Sequence, residues 1–189
     1  MKKILIMLGT VLLVVLGCDL VVMQTAKKAA AETQEQETDA YEEIDRLIRG
    51  GKTDEALRLL DKEDKESVEY YCMKELAYIE DGSEQADEEL AKLYKEAADR
   101  WPEWQYMQKM AGAVAMFEGN YKSAAYRLFQ ALQLDMEDAE TWYYLGALSY
   151  YEGNYEDMRM YFEQALERNL SEDKQGEILW YAQQTGDRE

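Results

Sequence analysis

The sequence predicts an all-α protein built from repeated pairs of antiparallel helices. A single proline stands among 189 residues, and residue types that favour helices, such as alanine, glutamate and leucine, are abundant. Short blocks of sequence recur at one constant spacing, and this spacing, about 34 residues, is typical of stacked helical hairpins. Glycines at 119 and 153 separate two helical patterns, and glycine tolerates the positive φ at which many helices end.

Three separate blocks carry the repeat, and they share one offset. The block at 118–121 (EGNY) recurs at 152–155, the block at 130–132 (QAL) recurs at 164–166, and the block at 112–113 (GA) recurs at 146–147. Because the blocks lie apart, their common offset indicates a repeated structural unit. A single hairpin cannot bury its own apolar face, so at least three such units must stack.

The last repeat, 139–172, follows a known pattern. Its signature residues are Trp142, Leu145 and Gly146 in the first helix, and Phe162 and Ala165 in the second. They resemble the signature of the tetratricopeptide repeat (TPR) family, although Ser149 and Leu170 replace the usual tyrosine and closing proline. The resemblance is strong over 105–172, moderate over 71–104 and weak over 37–70.

The TPR resemblance implies a right-handed solenoid of antiparallel helix pairs within a domain spanning 39–185. The resemblance places about four repeat units at 37–70, 71–104, 105–138 and 139–172, with a C-terminal capping helix at 173–184. An N-terminal hydrophobic helix is predicted to precede this domain.

The capping helix is predicted to close the solenoid with one apolar face. The apolar residues are Ile178, Leu179, Trp180 and Ala182. Its polar residues, Lys174, Gln175, Gln183 and Gln184, are expected to solvate the open end.

Residues 1–23 are predicted to be a signal or a membrane anchor. Two lysines precede an uncharged apolar run over 4–17, which has the length of a signal-peptide core. The run meets Val15-Leu16-Gly17-Cys18, which resembles a bacterial lipobox and implies lipidation of Cys18. Alternatively, residues 4–23 cross the membrane as an uncleaved signal anchor, with Asp19 inside the span. Full secretion is a third alternative.

Residues 24–38 are polar and lack glycine and proline, so they are predicted to form a stalk. Lipidation and signal anchoring both place the repeat domain outside the cytoplasmic membrane. We therefore expect a bacterial cell-membrane protein with its soluble domain on the extracytoplasmic side.

Composition argues against several classes of function. The net charge of −19 disfavours nucleic acid as a partner and keeps the domain away from anionic lipid. The sequence has no histidine and only two cysteines, so the commonest general base and metal ligand are missing. Neither a phosphate-binding loop nor metal-ligand spacing is present. We expect no catalytic, cofactor or metal site and no small-molecule substrate.

The first helices of the last two repeat units are predicted to line a partner groove. The candidate groove residues are Tyr106, Lys109, Met116, Phe117, Tyr143, Tyr150 and Tyr151. The TPR resemblance implies that such positions face the concave side, and an aromatic surface containing methionine suits a peptide. Alternatively, these rings pack inside the stack or against the capping helix. Ala113 and Ala147 stand where a clamp for carboxyl-terminal tails would need asparagine.

Two functions remain open from the sequence. The first is a membrane-tethered interaction module, an adaptor or assembly factor that binds a protein or peptide partner in the groove. The second is a structural spacer of the cell envelope that has no groove ligand.

Overall fold

The computed structural model describes residues 34–186. The predicted signal segment, the lipidation candidate Cys18 and most of the stalk therefore lie outside the described residues. None of the helices between 34 and 186 is both long and apolar enough to cross a membrane.

The described part of the chain is all-helical, which confirms the predicted class. Its helices are α1 (Gln34–Arg49), α2 (Thr53–Leu60), α3 (Val68–Asp81), α4 (Glu84–Arg100), α5 (Gln105–Phe117), α6 (Tyr121–Leu134), α7 (Ala139–Glu152), α8 (Tyr155–Glu167) and α9 (Glu172–Thr185). Consecutive helices pack as α1–α2, α5–α6 and α7–α8, and α9 is the last helix of the described residues.

The chain divides into two compact units, Met1–Leu93 and Tyr94–Glu189, and α4 runs across the boundary. In the first unit, α1 packs against α2 and α3, and α2 packs against α3. Ile44, Leu60 and Tyr71 are buried there. In the second unit, α5 packs on α6, α7 on α8, and α9 on both α7 and α8.

The repeated EGNY block ends one helix and begins the next. Gly119 and Gly153 both have a φ of 77°, a conformation that other residues seldom adopt. The side chains of Asn120 and Asn154 then accept hydrogen bonds from the first turns of α6 and α8, as N-cap residues do. The predicted role of the two glycines is confirmed.

Small residues bring the paired helices of the second compact unit into close contact. A Cβ added to Gly112 would lie 2.8 Å from Leu128, and one added to Gly146 would lie 2.5 Å from Phe162. Real Cβ atoms essentially never approach this closely, so only glycine fits either position without a shift. Ala124, Ala131 and Ala165 are fully buried, as small side chains between closely packed helices must be.

Five side chains of the second compact unit differ from expectation. Trp142 is half-buried rather than enclosed between helices, and its Nε1 donates to the Met136 carbonyl oxygen. In α9, Lys174 is buried instead of solvating the open end. Of the predicted apolar face only Ile178 is buried, whereas Leu179, Trp180 and Ala182 are exposed.

Candidate partner-binding site

The first helices of the second compact unit, α5, α7 and α9, lie beside one another in chain order. Helix α5 contacts α7, and α7 contacts α9. Because these helices follow the constant offset of the repeat, Lys109, Tyr143 and Glu177 occupy equivalent positions, one on each helix. The side chains on these helices therefore form the surface where the groove is predicted.

A buried ion-pair network connects these three helices. The Lys109 Nζ atom lies 2.8 Å from a Glu140 carboxylate oxygen and 3.1 Å from an Asp138 oxygen. The other Glu140 oxygen lies 2.6 Å from Lys174 Nζ. Glu140 of α7 thus bridges a lysine on α5 and a lysine on α9. The lysine side chains are only 5% and 4% exposed, so solvent screens the network weakly.

The network favours the charged forms of Glu140 and Lys109. Burial of Glu140 opposes its ionisation, but Lys109 and Lys174 outweigh that effect and lower its pKa to about 2. Burial likewise opposes the charge on Lys109, yet Glu140 and Asp138 raise its pKa. Two lysine side chains therefore face two acidic side chains. These charges satisfy each other and leave little for a ligand to pair with.

Tyr143 links α7 to α9 within the same surface. Its side chain is 1% exposed, and its hydroxyl donates a hydrogen bond to the Glu177 carboxylate. Burial raises the pKa of the Tyr143 hydroxyl. The ring also packs on Phe162 of α8. Tyr143 thus fills the space between helices.

Aromatic rings at the carboxyl end of α7 form a continuous cluster. The Tyr121 and Tyr151 rings are stacked, with centroids 6.2 Å apart, and Tyr151 meets Tyr150 edge to face. Tyr150 in turn contacts Tyr155, and its ring centroid lies 6.1 Å from that of Trp180. Part of this cluster reaches solvent, because Tyr151 is 40% exposed.

The seven predicted groove residues divide into three groups. Lys109, Met116 and Tyr143 are buried. Tyr106 and Tyr150 are half-buried, and Phe117 and Tyr151 are exposed. Four of the seven can therefore meet a ligand without rearrangement of the helices, and the contact of Tyr150 with α9 matches the alternative in which rings pack against the capping helix.

Sequence reasoning missed several residues of this site. The predicted site does not pair Glu140 with Lys174, although they carry opposite charges at positions one repeat apart on adjacent helices. This charge pattern is the feature of the sequence that indicates the ion pair. The predicted site does not include Tyr121 of the EGNY block, although it lies one repeat before Tyr155.

No protein-family model matches the chain, and no curated protein sequence matches it. Function is therefore inferred from the geometry of the described residues. Between 34 and 186, no group of three or more histidine, cysteine, aspartate or glutamate side chains could hold a metal ion.

Proposed function

We propose that this chain is a membrane-tethered interaction module of the TPR type, an adaptor or assembly factor that binds a protein or peptide on the extracytoplasmic side of a bacterial membrane. Support comes from the lipobox-like segment, the helix pairs at a constant repeat offset and the tight glycine positions of the TPR signature. Such modules present a continuous surface made by successive units.

One observation carries the binding proposal: aromatic side chains of two successive helix pairs meet at the surface. We call Phe117, Tyr121, Tyr150 and Tyr151 the aromatic edge. Phe117 and Tyr121 flank the turn between α5 and α6, and Tyr150 and Tyr151 lie in the last turn of α7. The stacked contact between Tyr121 and Tyr151 joins the two pairs.

Exposed aromatic rings suit a binding surface. Tyrosine offers a large contact area for little conformational entropy, and aromatic anchors dominate the energetics of many interfaces. Exposed Glu152 and Glu156 follow the edge in sequence, and no lysine or arginine of the described residues forms a salt bridge with either. A neutral or basic partner segment fits this charge better than an acidic one.

The alternative function, a spacer without a groove ligand, is favoured by one specific observation. Lys109, Glu140 and Tyr143, which occupy groove positions, are engaged with neighbouring helices. A spacer would use the first helices only to hold the repeat together, and the aromatic edge would then have no binding role.

Partner capture by matched tyrosine variants separates the two functions. The full chain, solubilised in mild detergent and immobilised, is incubated with envelope extract, and retained proteins are quantified by mass spectrometry. We expect Tyr151→Ala to reduce retention of a specific partner roughly thirtyfold, because a hot-spot ring contributes about 2 kcal/mol or more. The control is Tyr126→Ala, since Tyr126 is 62% exposed but lies outside the aromatic edge. Equal retention by both variants, each with an unchanged melting curve, would support the spacer.

A further inference from the structure

Helix α9 corresponds to the first helix of a further pair. The offset of the repeat aligns α7 with α9, so that 142, 145, 146 and 149 correspond to 176, 179, 180 and 183. In α7 two of these positions face α8: Gly146 lies against Phe162, and Trp142 against Tyr161. Among the described residues, no second helix covers the equivalent positions of α9. We call Gly176, Leu179, Trp180 and Gln183 the α9 face.

The α9 face is apolar and open. Leu145 is 1% exposed in α7, whereas its equivalent Leu179 is 64% exposed. Trp180 stands where α7 has the glycine that admits Phe162, and it is 45% exposed. A helix placed like α8 could not approach α9 as closely, because the indole occupies the space that glycine leaves. The α9 face therefore excludes another repeat of the same geometry yet leaves two large apolar side chains partly exposed.

The α9 face is also uncharged. From 175 to 186 the exposed residues of α9 are glutamine, glycine, leucine, tryptophan and alanine. Glu177, the single charged residue in that stretch, is half-buried and accepts the Tyr143 hydroxyl hydrogen bond. The whole chain carries 40 acids against 21 bases, so two copies repel each other over most of their surface. At the α9 face, two copies can meet without opposing like charges.

The order of residues on the α9 face makes it complementary to itself. Helix α7 has Trp142 followed four residues later by glycine, whereas α9 has Gly176 followed four residues later by Trp180. Four residues are about one helical turn, or roughly 6 Å. A Cβ added to Gly176 would meet nothing within 4 Å, so the glycine leaves an open notch beside the indole. In an antiparallel pair of α9 helices, each tryptophan faces the other copy's glycine.

We propose that the α9 face binds a second copy of this chain, forming a two-fold symmetric, antiparallel pair of α9 helices. Each Trp180 packs over Gly176 of the partner subunit, with Leu179 near the symmetry axis. In an isologous interface each contact occurs twice, so two indoles are covered at once. One helix face is smaller than the standard interface of about 1,600 Å², and the association is correspondingly weak. It leaves Phe117 and Tyr121 of the aromatic edge free.

Cross-linking of the full chain in its own membranes tests this pairing. The parent variant is Cys72→Ser, which leaves Cys18 in place. Leu179→Cys in this background places a thiol near the proposed symmetry axis, and a short bismaleimide should give a homodimer that the parent does not give. Gln133→Cys, an exposed position on α6, controls for crowding in the membrane and should stay monomeric.

A second substitution tests the notch itself. Added to Leu179→Cys, Gly176→Leu fills the notch and should reduce the cross-linked dimer at least about tenfold. The helix should remain folded, because space surrounds Gly176 and leucine favours helices more than glycine does. Ala182→Leu adds the same side chain on another exposed side of α9 and should leave the dimer yield unchanged.

Four results would overturn the proposal. They are no dimer from Leu179→Cys, equal dimer from Gln133→Cys, a dimer insensitive to Gly176→Leu, and cross-linking to a different protein instead of a second copy. The last result would identify a helix of another chain as the occupant. Partner capture is measured separately, and Gly176→Leu should leave it intact, so the two proposals fail independently.

Discussion

Gly146 of α7 lies so close to Phe162 of α8 that a Cβ on the glycine would be 2.5 Å from the phenyl ring. Gly146→Ala should therefore destabilise the fold by about 1–3 kcal/mol, since overpacking exceeds the gain in helix propensity. The matched change Gly176→Ala meets open space and should stabilise by up to about 1 kcal/mol. Urea unfolding of both variants measures the difference. Two variants of equal stability would show that α7 and α8 are not in close contact at this position.

The buried position of Lys109 predicts a large loss of stability on its removal. Lys109→Ala should cost about 3–5 kcal/mol, because it breaks a buried ion pair and leaves a cavity. Lys95 also pairs with a glutamate, Glu118, but its side chain is 42% exposed, and Lys95→Ala should cost at most about 1 kcal/mol. Chemical unfolding of the two variants provides the comparison. If Lys109→Ala were as mild as Lys95→Ala, Lys109 would be a solvated side chain.

Glu140 gives the fold a defined pH dependence. Its pKa is lowered from 4.5 to about 2 in the folded chain, so its contribution is complete above pH 4.5 and is lost as the pH falls through 2. The stability difference between wild type and Glu140→Gln should be on the order of 3 kcal/mol at neutral pH and shrink between pH 4.5 and 2. Glu163→Gln, at an exposed position on α8, should show little difference at any pH. A Glu140→Gln difference that stays constant down to pH 2 would argue against the network.

Lipidation of Cys18 distinguishes a lipoprotein from an uncleaved signal anchor. If the chain is a lipoprotein, Cys18→Ala should abolish incorporation of labelled palmitate and leave a larger, uncleaved precursor. Cys72→Ser is the matched control, since it removes the other cysteine and should leave labelling unchanged. Unchanged size and the absence of lipid in both variants would instead indicate an uncleaved signal anchor.

The helix ends and N-caps of the repeat could be predicted from sequence. The burial of individual groove residues could not. Gly153 followed by Asn154 dictates where α7 ends and α8 begins, because backbone conformation and capping depend on the residues themselves. The burial of Lys109 depends on a carboxylate 31 residues away and on a further lysine beyond it. A lysine at a groove position looks the same in sequence whether it faces solvent or a neighbouring helix.

The buried charge alternates in sign from one first helix to the next: Lys109 in α5, Glu140 in α7 and Lys174 in α9. This alternation disfavours the loss or duplication of a single repeat unit. Excision of residues 139–172 by recombination would remove Glu140 and bring Lys174 beside Lys109, leaving Asp138 as the one carboxylate of the network for two buried lysines. Duplication of the same segment would place a second Glu140 one helix away from the first. In a repeat protein made of identical units, loss or gain of one unit leaves the contacts between neighbouring units unchanged. In this chain it would place like charges together, so the buried charges favour the present number of units.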